Sequence, residues 1–147
     1  MTDTAIVTVD IQRDFLRPAG RGIGSWQKAF CVSGAARLVS FGRARGWRVC
    51  HVATEHTGTD SLPAHQRRRE VEPYCVSGTA GAELVLPRES DDIVVVKQWY
   101  SAFDGALDPV LAGTETIVWA GVATDCCVQQ SAFDADRRGL RSVIPIQ

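Results

Sequence analysis

Three kinds of side chain that can do chemistry follow separate apolar runs of the sequence. Asp10 comes after AIVTV, Lys97 ends DIVVVK, and Cys126 and Cys127 follow ETIVWAGVA. A thiol attacks a carbonyl carbon as its thiolate, and a carboxylate within reach can take the thiol proton and return it to a leaving amine. A lysine ammonium stabilises the thiolate. These residue types predict a nucleophilic cysteine site, provided that the fold brings them together.

The elements around these residues alternate between strand and helix. The apolar runs are rich in β-branched residues and lack polar alternation, which is typical of buried strands in a parallel sheet. We predict strands at residues 5–11, 47–54, 92–97, 115–123 and 141–146, and helices at residues 26–45 and 125–138. Pro145 favours an edge position for the last strand. The alternation predicts helices on both faces of the sheet, and ligand binding where the carboxyl ends of the strands meet.

Length, charge and cysteine count narrow the class of protein. The 147 residues predict a single domain spanning residues 1–147. A net charge of −1 predicts no nucleic-acid partner, and no apolar window approaches the length of a membrane span. The start of the chain lacks the pattern of a secretory leader. Five cysteines at irregular spacing fit neither a disulfide framework nor a zinc pattern, so we expect reduced thiols in a cytoplasmic protein.

Four segments, in order, resemble the isochorismatase-like hydrolases, a family that includes nicotinamidases and N-carbamoylsarcosine amidohydrolase. The segments are AIVTVDIQRDF, CVSGTAGAEL, KQWYSAF and GVATDCCVQQSAFDADRRG, and they extend over nearly the whole chain. The resemblance implies a three-layer α/β/α domain with a mostly parallel, Rossmann-like sheet. It also implies a catalytic triad in which Cys127 is the nucleophile, Asp10 is the general base and then the acid, and Lys97 stabilises the thiolate and orients Asp10.

The family register assigns the nucleophile to Cys127, because this residue stands two positions after Asp125 and just before Val128. Adjacent helical residues point about 100° apart, so both thiols are not expected to face one carbonyl. We therefore expect Cys126 to be a small packing residue that is not essential. The helix start, Lys97 and nearby amides predict that the Cys127 thiol ionises more readily than a free thiol.

The resemblance further implies a cis peptide bond between Val122 and Ala123. Its implied purpose is to aim the backbone amides of Ala123 and Cys127 at the oxyanion that develops on a carbonyl under attack. These two amides are therefore the expected oxyanion hole.

Substrate contacts are less sharply indicated than the triad. We expect pocket walls from three aromatic residues, each of which could equally belong to the core: Phe15, Trp99 and Phe103. Glu55 or His56 is expected at the pocket rim. Most of the pocket should come from the loops at residues 14–25 and 55–75, in which nothing identifies a particular ligand.

The sequence predicts neither a metal nor any other cofactor. Nicotinamidases carry a D-x-H arrangement with a further histidine that binds a divalent metal, whereas the matching region here reads HVATEHTGTD. His51 and His56 are an odd number of positions apart, so a strand would place them on opposite faces.

The end of the sequence departs from the family pattern, which continues past the fifth strand with a further strand and helix. This sequence ends at Gln147. We expect a sheet shortened at its carboxyl-terminal side, with an edge that a partner subunit covers, and hence a homo-oligomer.

These observations favour a cysteine hydrolase that cleaves the carbon–nitrogen bond of a small amide through a thioester intermediate. One alternative is isochorismatase-type cleavage of an enol ether, which does not need Cys127. Another tailoring reaction is also possible on this alternative. A second is an inactive scaffold that binds a small molecule or a partner, and the intact set of Asp10, Lys97 and Cys127 argues against it.

Overall fold

The computed structural model describes residues 3–17 and 25–145, which form a central sheet with helices on both faces. The strands are β1 (Thr4–Val9), β2 (Arg48–Thr54), β3 (Ile93–Lys97), β4 (Thr116–Gly121) and β5 (Arg141–Val143). They lie in the order β3-β2-β1-β4-β5, and each neighbouring pair is parallel. The predicted fold class, a parallel sheet between layers of helices, is confirmed.

The helices connect successive strands and cover the sheet. They are α1 (Arg13–Leu16), α2 (Ser25–Arg43), α3 (Ala64–Arg67), α4 (Leu107–Val110) and α5 (Gln129–Arg137). A single π-helical turn, Thr124–Val128, leads directly into α5. The two helices predicted from the sequence correspond to α2 and to this turn together with α5. None of the helices within the described ranges is long and apolar enough to cross a membrane.

Alternate residues of the strands supply two apolar layers, one on each face of the sheet. The layer that packs on α4 and α5 contains Ala5, Val7, Val9, Cys50, Val52, Ile117, Trp119, Leu107 and Ala135. The layer on the other face contains Ile6, Val49 and Val118, with Ala35 and Val39 of α2. Each fully buried aliphatic side chain of this size contributes about 1.5–3 kcal/mol. These layers hold the strand ends in fixed positions.

The expectation that helices cover both faces of the sheet is wrong at the edge strand β3. Helix α2 packs mainly on β1, β2 and β4. Val94 and Val96, on the face of β3 nearest α2, are therefore 40% and 45% exposed, whereas Val95 on the opposite face is buried. The apolar run of β3 resembles that of a central strand, but its position at the edge leaves one face open to solvent.

Several strands end earlier than their apolar runs predict. Strand β1 ends at Val9, because Asp10 adopts a left-handed backbone conformation with φ of +57°. Strand β5 ends at Val143, two residues before Pro145, and residue 146 of its predicted range lies outside the described residues.

The long segment at residues 55–91 carries short helical turns. These are Thr59–Ser61, α3 and Ala80–Ala82. One isolated bridge, between Gln12 and Leu84, joins the segment to the rest of the fold, and a second, between His56 and Val76, lies within the segment. The segment therefore packs beside the carboxyl end of the sheet.

An open apolar groove of about 1440 Å³ lies between α2 and the start of α5. Large apolar side chains line it while remaining exposed, among them Phe30 at 59% and Phe133 at 62%. Contiguous apolar surface of this kind is typical of contact surfaces. We propose that a second copy of the chain covers this groove. Arg37 and Asp125 also line it, and neither has an ion-pair partner within the described ranges, so a twofold axis could pair them across the interface.

Light scattering at micromolar concentration is expected to give at least the mass of a dimer. Replacing Phe133 with Glu puts a charge into the apolar contact and should shift the mass towards the monomer. Val94→Glu, on β3 and away from the groove, is the matched control and should leave the mass unchanged. A monomeric parent protein contradicts the proposal, as does a dimer that survives Phe133→Glu.

Candidate active site

Asp10 occupies the carboxyl end of the central strand and is completely buried. Its backbone N–H donates to the carbonyl of Val52 at 2.9 Å, and its carbonyl accepts from the N–H of Gln12 at 2.8 Å. The left-handed conformation of Asp10, with φ of +57°, turns the chain away from the sheet at this point. The carboxylate is thereby fixed at the sheet edge.

Lys97 ends β3 and directs its ammonium group onto Asp10. The Nζ atom donates to Asp10 Oδ2 at 2.9 Å, to Thr54 Oγ1 at 2.9 Å and to the carbonyl of Trp99 at 2.8 Å. Lys97 is only 2% exposed. Three acceptors thus satisfy all three hydrogens of the ammonium group.

Thr54 and Gln12 hold this ion pair in place. Thr54, at the end of β2, donates its hydroxyl hydrogen to Asp10 Oδ1 at 2.8 Å. The Gln12 side chain accepts from the Thr54 N–H through Oε1 and donates to the Thr54 carbonyl through Nε2, both at 2.8 Å. Its Nε2 also donates to the carbonyl of Ala82, which attaches the segment at residues 55–91 to the site. Gln12 is therefore a positioning residue.

Cys127 lies in the π-helical turn after β4 and is 8% exposed. The charges of Asp10 and Lys97 both act on its thiol. The carbonyl of Cys127 accepts from Ser131 Oγ at 2.6 Å, and Ser131 Oγ accepts from the Ala102 N–H at 2.8 Å. The structure therefore brings together the three residues of the predicted triad.

The acidity of the Cys127 thiol differs in direction from the sequence expectation. Burial and the negative charge of Asp10 raise the pKa of Cys127 above its ordinary value, and Lys97 lowers it by less. Desolvation disfavours the thiolate more than the helix start and the ammonium group favour it. Resting Cys127 is accordingly a thiol rather than a thiolate.

Cys126 also lines the cavity that contains Cys127. A π-helical turn has more residues per turn than an α-helix, so its adjacent side chains diverge by a smaller angle. Burial raises the pKa of Cys126 as well.

A cis peptide bond joins Val122 and Ala123, as the resemblance implied. Gly121, just before it, has φ of +156°, and a Cβ atom there would lie 2.2 Å from the carbonyl oxygen of Val9. Only glycine allows the end of β4 to approach β1 this closely. Ala123 and Cys127, the predicted oxyanion pair, both line the cavity.

The cavity beside Cys127 has a volume of about 260 Å³. Its lining combines apolar rings with few polar groups: Phe15, Thr54, Pro63, Gln66, Tyr74, Lys97, Gln98, Trp99, Tyr100, Val122, Ala123, Cys126 and Cys127. Two of the predicted wall residues, Phe15 and Trp99, are in this set. Residues 18–24 of the predicted pocket loop lie outside the described residues.

The structure places the other two predicted contacts away from the cavity lining. Phe103 belongs to the core, where its ring packs edge-on against Trp119 with centroids 6.3 Å apart and Arg138 covers its other side. Glu55 accepts from Ser77 Oγ at 2.8 Å and shapes the neighbouring loop. In both cases a local tertiary contact determines the position, and the sequence carries no signal of it.

Sequence reasoning missed most of the remaining lining residues. Thr54 could have been found, because it is a polar residue at the end of a predicted strand, on the same sheet edge as Asp10 and Lys97. Gln66 and Tyr74 lie in the long segment after β2, whose path depends on tertiary contacts. Tyr74 packs edge-on against Phe15 with ring centroids 5.4 Å apart.

The three histidines do not converge on a metal site. His51 contacts Thr8 and Asp92 within the fold, His56 packs against Tyr74, and His65 contacts Tyr100. Among the described residues, no three His, Cys, Asp or Glu side chains are placed to hold a metal ion. The described histidines therefore do not fit the metal set of nicotinamidases, and we derive no step through a metal.

Alkylation by iodoacetamide tests the charges around Cys127. Asp10→Asn removes the negative charge that raises the thiol pKa, so alkylation at neutral pH should accelerate about tenfold, which corresponds to a thiol pKa lowered by about one unit. Lys97→Met removes the charge that lowers the pKa, so alkylation should slow. In each variant the rate should rise with pH as the thiol ionises.

The rates are best measured in a Cys126→Ala background, with peptide mapping to separate Cys127 from the other thiols. Circular dichroism checks that each variant is folded, because each leaves a buried partner unpaired. Shifts of the ionisation in the same direction for both substitutions, or no shift at all, contradict the proposed triad.

Comparison with known proteins supports the assignment drawn from the motifs. The isochorismatase domain profile matches residues 4–145. The chain is 33% identical over 143 residues to a protein of Arabidopsis thaliana named probable inactive nicotinamidase, covering 90% of this chain and 72% of that protein. It is 29% identical over 153 residues to maleamate amidohydrolase of Pseudomonas putida, covering 95% and 68%.

A solved structure shows the same architecture. N-carbamoylsarcosine amidase from Thermoplasma acidophilum superposes with a TM-score of 0.82 at 27% identity, covering 97% of this chain and 81% of that one. The match of the domain profile to nearly the whole chain, together with this fold, confirms the resemblance: the chain belongs to the isochorismatase family.

Proposed function

We propose that this protein is a cysteine hydrolase that cleaves the carbon–nitrogen bond of a small amide through a covalent thioester. The observation that carries the proposal is the placement of Cys127 at the wall of a cavity large enough for a small molecule, where the charges of the buried Asp10–Lys97 ion pair act on its thiol. The amidohydrolases among its relatives, which act on maleamate and N-carbamoylsarcosine, support the reaction type.

The first half-reaction forms the thioester. Cys127 Sγ attacks the amide carbon while its proton passes to Asp10, and the backbone amides of Ala123 and Cys127 donate to the oxyanion. The intermediate then collapses: the carbon–nitrogen bond breaks, Asp10 returns the proton to nitrogen, and the amine leaves. The acyl group remains bonded to Sγ. Proton transfer by a positioned carboxylate contributes typically about 10²–10⁴-fold to such rates.

The second half-reaction restores the thiol. Water attacks the thioester carbon and gives a proton to Asp10. The carbon–sulfur bond then breaks, Sγ recovers the proton, and the carboxylic acid is released. Asp10 thus acts as base and acid in each half-reaction, which requires that it be ionised at rest. Lys97 Nζ lies 2.9 Å from Asp10 Oδ2 and pairs with this carboxylate.

Two other functions use the same cavity differently. Cleavage of an enol ether does not need a thiol at the cavity wall, so the placement of Cys127 against Asp10 favours amide cleavage. An inactive binding scaffold would resemble the relative named probable inactive nicotinamidase. The complete hydrogen bonding of Asp10, Lys97 and Thr54 favours an active enzyme over such a scaffold.

Mass spectrometry with a panel of small amides is the direct test of the proposal. Incubation should give an acyl adduct on the Cys127 peptide, with the mass of the substrate less its amine. Release of ammonia or amine should accompany the adduct. The absence of both across the panel contradicts amide hydrolysis, and cleavage of an enol ether by Cys127→Ala supports the alternative reaction.

Substitution of each cysteine separates the two thiols. Cys127→Ala and Cys127→Ser should each lower kcat/KM at least about 10³-fold, because the nucleophile is lost. Cys126→Ala should retain activity within about threefold, because the family register assigns the nucleophile to Cys127. A loss of activity in the Cys126 variant, with activity retained in the Cys127 variants, would reverse the assignment.

Hydrolysis is expected not to require a metal. Prolonged chelation followed by exhaustive dialysis should leave kcat unchanged, because the histidines do not converge at the cavity. An inactive protein that zinc, manganese or iron restores would overturn this expectation.

A further inference from the structure

A buried serine, Ser131, links the nucleophile turn to the loop that follows β3. Ser131 lies in α5, four residues after Cys127, and is completely buried. Its hydroxyl donates to the Cys127 carbonyl at 2.6 Å and accepts from the Ala102 N–H at 2.8 Å. A serine hydroxyl has a single hydrogen, so the direction of both hydrogen bonds is determined. None of the proposed chemical steps uses Ser131.

The loop at residues 98–104 borders both the cavity and the catalytic cation. Trp99 lines the cavity, and the Trp99 carbonyl accepts from Lys97 Nζ at 2.8 Å. The Ala102 N–H, in the same loop, is the group that donates to Ser131. Ser131 therefore connects the part of the site that holds the ammonium group to the part that carries the thiol.

The hydroxyl at position 131 is not explained by helix formation. Helix α5 packs on an apolar layer of the sheet, where alanine would pack without a polar atom. A serine that donates to the carbonyl four residues earlier slightly destabilises a helix, because it competes with the backbone. Ala102 is also completely buried, so removal of the hydroxyl would take the acceptor from a buried N–H. Ser131 is suited to holding two backbone segments in a fixed relation.

The position of Cys127 is one at which a small displacement has a large effect. Attack requires reacting atoms about 3–3.5 Å apart, and a misplacement of about 1 Å can cost about 10²-fold in rate. Two N–H groups of the turn, on either side of Cys127, donate to the Ala123 carbonyl at 3.1 and 3.3 Å. These bonds hold the beginning of the turn, and Ser131 holds the carbonyl of the nucleophile itself.

We propose that Ser131 is a positioning residue, whose hydroxyl sets the place of the Cys127 thiol relative to the cavity loop and to the ion pair of Asp10 and Lys97. It acts through the Cys127 carbonyl and does not touch the substrate. This inference rests on the proposed function for the identity of the reaction, but the placement of the thiol can be measured without any substrate.

Turnover of an amide that the unsubstituted protein hydrolyses is the first measurement. Ser131→Ala should lower kcat about 10- to 100-fold and change KM less than about threefold, because the cavity walls remain while the thiol is no longer held at attacking distance. Ser131→Thr keeps the hydroxyl, and threonine in a helix can donate to the carbonyl four residues earlier. It should therefore retain kcat within about fivefold.

Alkylation of individual thiols by iodoacetamide is the second measurement, made in the Cys126→Ala background. Burial is the largest cause of the raised pKa of Cys127, so a thiol released from its place should ionise and react more readily. Ser131→Ala should accelerate alkylation of Cys127 about tenfold while it slows turnover. Cys50 and Cys75 are completely buried elsewhere in the fold and should react no faster than before.

Ile117→Val is the matched control for a general loss of stability. It removes one methylene from the buried core of β4 and leaves the hydrogen bonds of Ser131 in place. Because unfolding exposes every thiol, lower stability alone should accelerate alkylation of the three buried thiols in parallel: Cys50, Cys75 and Cys127. The kcat per folded molecule should stay unchanged in this control.

The positioning role is overturned if Ser131→Ala accelerates alkylation of the three buried thiols in parallel, or if it leaves kcat or the alkylation of Cys127 unchanged. Should Ser131→Ala fail to fold by circular dichroism, Ser131→Cys decides by the same two measurements, because a thiol is a weaker hydrogen-bonding group than a hydroxyl. Fragmentation of the peptide then assigns the alkylated residue. No turnover of any amide by the unsubstituted protein counts against the proposed function, whereas selective alkylation of Cys127 in Ser131→Ala still supports the role of Ser131.

Discussion

The buried ion pair between Asp10 and Lys97 is the constraint on which the rest of the site depends. Both residues are shielded from water, and isolated charges in such a position are strongly unfavourable. Removing one member of a buried pair typically costs about 3–5 kcal/mol, because the other charge is left uncompensated. The structure meets this demand with Thr54, the carbonyl of Trp99 and the clamp of Gln12 on β2. These contacts also fix the carboxylate that faces the thiol.

The order of the strands makes this arrangement possible. Asp10 ends β1, Thr54 ends β2 and Lys97 ends β3, and these three parallel strands are neighbours. Thr54 therefore lies between the two charges and bonds to both. The nucleophile arrives on the other side of β1 from β4, after a close approach that requires Gly121. A parallel sheet thus places a carboxylate, a hydroxyl, an ammonium group and a thiol at one edge without a long loop.

Much of the fold and the triad could be predicted from the sequence, because both follow from patterns of short range. Apolar runs identify the strands, and polar residues at their ends mark the sheet edge. What the sequence did not provide depends on packing in three dimensions. Phe103 joined the core because Trp119 and Arg138 surround it. The pKa of Cys127 is raised mainly because the thiol is buried, and neither the motif nor the position at a helix start indicates that burial.

Trp99 connects the space for the ligand to the catalytic cation. Its ring lines the cavity, while its carbonyl accepts from Lys97 Nζ at 2.8 Å. Its backbone N–H and that of Gln98 both donate to Asp104, which ties the turn together. A ligand that displaces the Trp99 backbone must therefore change the hydrogen bonding of Lys97, the residue that holds the Asp10 carboxylate. Discrimination between substrates in such a site is expressed in how fast bound molecules react, as well as in how tightly they are held.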